Sequence, residues 1–167
     1  LTQSQSTDQI GTRELLPDSE FLHNERTNIY KVSSFIKFSR QYELDLVAGS
    51  LPVLENGELL NRSFYIKRSG EVTDQDKLTL TPWGKKVGFA TGTKIKTIRT
   101  SFGESVILIC YDAESPQISN ALTRSNVDFI LVPSMTESEE GFRRVSLSSK
   151  TRAIEHHAYV VVSGTVG

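Results

Sequence analysis

The chain holds one cysteine, placed where a side chain can do chemistry. Cys110 follows the aliphatic run Val106-Ile107-Leu108-Ile109 and precedes Tyr111-Asp112-Ala113-Glu114-Ser115-Pro116. An apolar strand therefore breaks into polar residues and then a helix start. A sharp strand-to-helix turn lifts a side chain out of a sheet and aims backbone N–H groups at whatever it attacks. Helix N-termini also favour the thiolate, the nucleophilic form of a thiol. The same residues admit a plainer reading, in which Cys110 is a small buried hydrophobe closing an apolar strand. Local context leaves both open.

The composition bounds what such a thiol can serve. With 167 residues, 37% hydrophobic and 23% charged, the chain has the size and balance of one globular domain. Nineteen basic against 20 acidic residues leave a net charge of -1, too little field to hold a polyanion, so nucleic acid and membrane surfaces are not expected partners. The longest apolar runs, 106–110 and 159–162, fall well short of the roughly 20 residues that cross a bilayer. The N-terminal Leu-Thr-Gln-Ser-Gln-Ser lacks the basic start and apolar stretch of a secretory signal, and a cytoplasmic location is expected. One cysteine excludes an intrachain disulfide, and three histidines without Cys-pair spacing give no basis for a metal site.

The elements that must position Cys110 can be read from periodicity. Residues 1–20 are polar and aperiodic and read as loop. From Asn24, a candidate N-cap, apolar positions Ile29, Val32, Phe35, Ile36 and Tyr42 recur at helical spacing. Short strands are predicted at 44–48 and, after the turn Glu55-Asn56-Gly57, at 63–67, with 61–72 resembling a hairpin that turns at Ser69-Gly70. Runs 95–100 and 105–110, separated by Phe102-Gly103, suggest another strand pair, with Cys110 ending the second. A helix over 116–125 buries Ile118, Ala121 and Leu122, and a strand follows at 127–132. Residues 139–157 are helix-compatible, with Phe142, Val145, Ser149 and Ala153 along one side, and 159–162 is a β-branched strand. Strands alternating with helices from residue 104 onward predict an α/β layered sheet.

Several segments together resemble a known family. Ile109-Cys110-Tyr111-Asp112-Ala113-Glu114-Ser115-Pro116 is similar to the nucleophile motif of the carbon–nitrogen hydrolase (nitrilase-like) superfamily, in which Cys-Tyr-Asp is followed by an acidic residue and Phe-Pro-Glu. Val47-Ala48-Gly49-Ser50-Leu51-Pro52, Asn61-Arg62-Ser63-Phe64, Gln75-Asp76-Lys77-Leu78, Phe102-Gly103, Val132-Pro133-Ser134 and Arg152-Ala153-Ile154-Glu155 resemble further landmarks, in order. The resemblance covers residues 26–167 and leaves 1–25 as a poorly defined start to a partial domain. It implies a four-layer α-β-β-α sandwich, incomplete at both ends, and a homodimer or higher homo-oligomer associating through the helices at 116–125 and 139–157.

The implied site is a Glu-Lys-Cys set without cofactor or metal. Cys110 falls on the nucleophile and Lys77 on the catalytic lysine; the latter's ammonium would favour a thiolate and stabilise a tetrahedral oxyanion with the backbone N–H of Tyr111. Glu114 and Trp83 are carried over as candidate site-positioning and substrate-pocket residues. Cys-Tyr-Asp favours small amide or carbamoyl substrates, since nitrile-hydrolysing relatives usually carry Cys-Trp-Glu. The family's general-base glutamate is expected just before Leu1, and neither Glu14 nor Glu20 fits its context. A second family glutamate falls on Gly84; Ser115, Gln117 and Thr79 replace the usual Phe, Glu and His. These departures make a catalytically inactive relative, acting in binding or assembly, the alternative expectation. His156 and His157, adjacent at a helix end, make a poor metal pair and suit a solvated or helix-terminal role. Arg152 and Glu155 are expected to form a helix pair.

Overall fold

The computed structural model describes residues 25–167, so the loop expected over 1–20 and the Asn24 cap lie outside the described residues. Helix α1 spans Glu25–Gln41. Its C-terminal end is docked by Ser39, whose buried hydroxyl donates to the Leu44 carbonyl (2.5 Å) and lies 2.9 Å from that of Lys67.

The first sheet is antiparallel, in the order β1 (Leu46–Glu55), β2 (Glu58–Ile66), β3 (Val72–Asp76). The expected turn joins β1 to β2, with Asn56 and Gly57 both at positive φ (52° and 81°), as a two-residue hairpin loop requires. Strand β1 is longer than the expected 44–48. Gly49, Ser50 and Pro52 read as breakers, but the register shift between Val47 and Ser50 absorbs the glycine, at φ 65°, and an edge strand tolerates the proline.

The second sheet runs β4 (Ile98–Thr100), β5 (Gly103–Ile107), β6 (Phe129–Thr136), β7 (Tyr159–Val166). The first pair is antiparallel and the other two are parallel. The crossover from β5 to β6 carries a 3-10 turn, Cys110–Glu114, and helix α3, Pro116–Leu122; that from β6 to β7 carries α4, Glu139–His156. A short helix, here α2 (Pro82–Val87), precedes β4 and was not expected from periodicity. Helix α4 ends at His156, one residue before the expected 157, with His157 at φ 51° as its cap. Helix α3 stops short of the expected 125; the Thr123 hydroxyl donates to Asn120 O (2.7 Å), a local bond that competes with helix propagation. Ala121, expected on its buried face, is exposed.

Alternation along the central strands sets the layers. Val106, Leu108, Ile130 and Val132 meet Ala113, Ile118, Leu122, Val145 and Ala158 on the helical side. Their neighbours Ile107, Ile109 and Leu131 meet Tyr65, Ile98 and Val47 on the other face, between the two sheets. Period-2 side-chain direction thus gives one strand two cores, each fully buried aliphatic contributing about 1.5–3 kcal/mol. The order is α1, first sheet, second sheet, then α3 with α4: the α-β-β-α arrangement. No helix among the described residues is long and apolar enough to cross a membrane.

Candidate active site

Cys110 stands where β5 has given out. The strand ladder ends at Ile107, three residues before the expected end at Cys110; Leu108 still donates to Leu131 O (3.0 Å), and Ile109 is extended. Cys110 then adopts φ 51° and opens the 3-10 turn. A side chain other than glycine in this left-handed region costs about 1–2 kcal/mol, and it persists only where its surroundings hold it. Here the half-buried thiol packs between the two cores and donates to Met135 O at 3.6 Å, at the C-terminal end of β6. The turn therefore brings the sulfur out at the carboxyl ends of parallel strands, where open α/β sheets commonly bind ligands.

Lys77 reaches the same place from the first sheet. It lies just beyond β3, is 6% exposed, and its Nζ donates to the carbonyl of Ile109, the residue before Cys110. The backbone at Lys77 is held on both sides: its N–H donates to Asn61 O (2.8 Å) and its carbonyl accepts from Gly92 N (2.7 Å). Gly92 is required by that approach, since a Cβ there would lie 2.8 Å from Asp76 Cβ and 2.9 Å from Asp76 O. Gln75, also buried, donates to Asp76 O (2.8 Å) and Lys94 O (3.0 Å) and accepts from Lys96 N (2.8 Å), tying the following loop to β3.

Asp112, in the middle of the turn, joins the two halves. Fully buried, it accepts from Thr79 N (2.6 Å), Leu78 N (3.1 Å) and Ile109 N (3.0 Å). Burial pushes its carboxyl above the ordinary range, opposed by the charge of Lys77 and by those N–H donors. Burial also pushes Lys77 down from the ordinary lysine value, opposed by Asp112, Cys110 and Glu114. An ammonium held in a low-dielectric site beside a thiol can stabilise developing negative charge on sulfur or on a substrate oxygen.

The other candidate residues are placed as follows. Tyr111 is half-buried in the first turn after Cys110, where backbone N–H groups have no partner within the turn. Glu114 places Oε2 2.7 Å from Arg144 Nε on α4, and its buried Oε1 has no hydrogen-bond partner among the described residues. Trp83 lies on α2, 42% exposed and packed against Phe89 at 6.4 Å between ring centroids. Gly84, on the same helix, is buried, with Thr81 capping its N–H at 3.1 Å. Of the smaller sequence signals, His156 accepts or donates at 2.8 Å from the Ser119 hydroxyl, and Arg152 pairs with Glu155 at 3.3 Å. A separate cleft of about 290 Å³, lined by Glu55, Arg62, Asp74, Asp76, Thr93, Lys94 and Lys96, does not include the Lys77–Cys110 pair.

Asp112, read in the sequence only as part of the Cys-Tyr-Asp motif, and Gly92 are the residues that sequence reasoning left without a positioning role. The available signal for Asp112 was an acid two positions beyond the apolar run 106–110, which demands buried donors if the turn is buried. For Gly92 the sequence carried none, because only the tertiary approach of Asp76 requires it.

The arrangement agrees with comparison to known proteins. The family model for carbon-nitrogen hydrolase matches residues 22–167. A probable hydrolase, YhcX, of Bacillus subtilis (strain 168) is 34% identical over 137 residues, covering 81% of this chain and 27% of that protein. A hydrolase in the agr operon of Staphylococcus lugdunensis is 30% identical over 139 residues, 80% of this chain and 59% of that one. The chain thus spans between 27% and 59% of the length of these curated relatives. Among solved structures, Saccharomyces cerevisiae Nit3, of branch 10 of the nitrilase superfamily, superposes with TM-score 0.72 at 22% identity, over 81% of this chain and 50% of that one. The NitN amidase from Neterenkonia sp. AN1 superposes with TM-score 0.76 at 20% identity, over 92% and 62%. These structures share the nitrilase fold with the layers described above. The match of a family model across all of the described residues, on a scaffold of that fold, means that the chain belongs to the carbon-nitrogen hydrolase family.

Proposed function

We propose that Cys110 is the nucleophile and Lys77 its electrostatic partner in hydrolysis of a non-peptide amide or carbamoyl bond. The observation that carries this reading is the bond from the buried Lys77 Nζ to the carbonyl of Ile109, which fixes an ammonium beside the strained Cys110 turn. In the proposed sequence the Cys110 thiolate attacks the carbonyl carbon of the substrate. Lys77 and the Tyr111 N–H stabilise the resulting oxyanion. The tetrahedral intermediate collapses with loss of the protonated amine, leaving a thioester, and water adds to release the acid and free thiol. A carboxylate must carry the proton from thiol to leaving amine and activate the water. Both Asp112 oxygens are committed to backbone donors, so the shuttle is assigned to the glutamate expected ahead of Leu1.

Supporting this reading, one structural relative, the Nesterenkonia amidase, has a form with the acetamide moiety of fluoroacetamide added covalently at its active-site cysteine. The proposed organisation is a single carbon–nitrogen hydrolase domain, of which 26–167 is the recognisable part, forming a cytoplasmic homodimer or larger homo-oligomer. Glu114 and Trp83 are proposed to border the substrate.

The test is intact-mass spectrometry of the full-length gene product incubated with simple primary amides. A mass increase equal to the acyl group, absent in Cys110→Ala, is expected together with ammonia release. No adduct and no ammonia across a broad amide panel would overturn the proposal. That outcome would favour the second reading, an inactive relative serving assembly, which rests on Gly84 standing where the family has glutamate.

A further inference from the structure

We propose that Asp112 is the positioning residue of the Lys77–Cys110 pair: its buried carboxylate fastens the Lys77 loop to the Cys110 turn and supplies the counter-charge that keeps the Lys77 ammonium protonated. This rests on the pair acting as described above and adds a residue that the nucleophile-and-lysine scheme does not use.

The geometry divides the carboxylate between two segments. Oδ1 accepts from Leu78 N and Thr79 N at 3.1 and 2.6 Å, both from the segment directly after Lys77. Oδ2 accepts from Ile109 N at 3.0 Å, one residue before Cys110, and lies 3.3 Å from Leu78 N as well. Asp112 returns its own N–H to Ile109 O at 3.1 Å, the carbonyl that Lys77 Nζ also uses. A buried carboxylate satisfied by several N–H donors is held rigidly. Two chain segments more than 30 residues apart in sequence are therefore set relative to each other by one side chain.

The second part of the role is electrostatic. The negative groups acting on Lys77 are Asp112, Cys110 and Glu114. Glu114 is partly neutralised by Arg144 of α4, 2.7 Å from its Oε2. Cys110 loses its charge whenever it is acylated. Asp112 is thus the one of the three with neither a competing side-chain cation among the described residues nor a covalent role in the cycle. An opposite charge at close range shifts a lysine by about 1–3 pH units. Without Asp112, burial would drive Lys77 towards its neutral form, which cannot stabilise an oxyanion.

An isosteric amide separates this role from plain scaffolding. In Asp112→Asn the NH2 group faces a backbone N–H donor and the counter-charge is gone. The measurement is the pH dependence of Cys110 acylation by a simple primary amide, read as intact mass, in the full-length protein. Activity needs protonated Lys77, so it falls as pH rises through the lysine's pKa; loss of Asp112 lowers that pKa. The basic limb should move to lower pH by about one unit or more.

A limb that stays in place while acylation merely slows would overturn the proposal and leave the proposed function standing. A wild-type protein that forms no adduct at any pH would overturn both. If Asp112→Asn does not fold, the double variant Asp112→Asn/Lys77→Met removes both buried charges. Recovery of a cooperative melt would support the pairing, and continued failure to fold would overturn its electrostatic half.

Discussion

At the scale of single residues, the site is a case of one conformation made affordable by its neighbours. Cys110 holds φ 51° because Asp112 caps Ile109 behind it and Lys77 grips the Ile109 carbonyl. The thiol therefore gains an ammonium neighbour as a by-product of the bonds that keep its turn in shape. Replacing Lys77 by methionine keeps length and apolar bulk but removes the charge. On the proposed mechanism kcat/KM for an amide falls by about 10²–10³, the scale of losing one oxyanion donor. Steady-state ammonia release by the full-length variant checks this; a change of less than tenfold would remove Lys77 from the chemistry. On the same proposed mechanism, the lowered pKa of Lys77 predicts a basic limb below the ordinary lysine value, because its protonated form is lost as pH rises through the folded pKa.

Among the elements, α3 and α4 are joined by a polar contact whose protonation state matters. The Ser119 hydroxyl donates to Glu155 Oε2 at 2.6 Å, so its single proton is committed. His156 Nε2, 2.8 Å from the same oxygen, must then carry the proton it donates, and the neutral Nε2–H tautomer suffices. Burial lowers the His156 pKa, with Glu155 opposing and Arg152 assisting. The unfolded chain thus takes up a proton at higher pH than the folded one. This contribution to stability is complete above about pH 6.5 and is lost as pH falls through the folded pKa. Thermal melts should show Tm falling across that window, and His156→Gln, which keeps an N–H donor without titrating, should flatten the fall. An identical slope in the variant would assign the pH dependence elsewhere.

Across the whole molecule, the second sheet carries apolar surface beyond what the first sheet covers. Phe102, Phe129 and Tyr159 form a row, edge-on at 4.6 Å and stacked at 5.2 Å, and Tyr159 and Val161 on β7 are 73% and 53% exposed. Among the described residues β7 pairs on one side only, with β6. An open strand edge with an apolar face favours association. Expressed by themselves, residues 1–167 are expected to self-associate in light scattering, and Tyr159→Lys with Val161→Lys to reduce the apparent mass. Undiminished association in the double variant would place the contact on another surface.

The sequence determined by itself those features that depend on local rules. Glu55-Asn56-Gly57 specified a turn through the tolerance of Asn and Gly for positive φ, and the unbroken apolar runs in 105–110 and 127–132 specified buried strands. The helix at 139–157 was legible from its apolar stripe, to within one residue of its observed end. Family resemblance then drew attention to Cys110 and Lys77. It did not fix their proximity, because the contact joins the residue after β3 of one sheet to the residue before the turn that follows β5 of the other. Strand β1 was under-read because Gly49 and Pro52 are breakers by propensity, and only a bulge on an edge strand accommodates them. Asp112 and Gly92 acquired their roles in the tertiary structure alone. A buried carboxylate must find donors and a close backbone crossing excludes a Cβ, and both conditions arise only when segments distant in sequence are packed together.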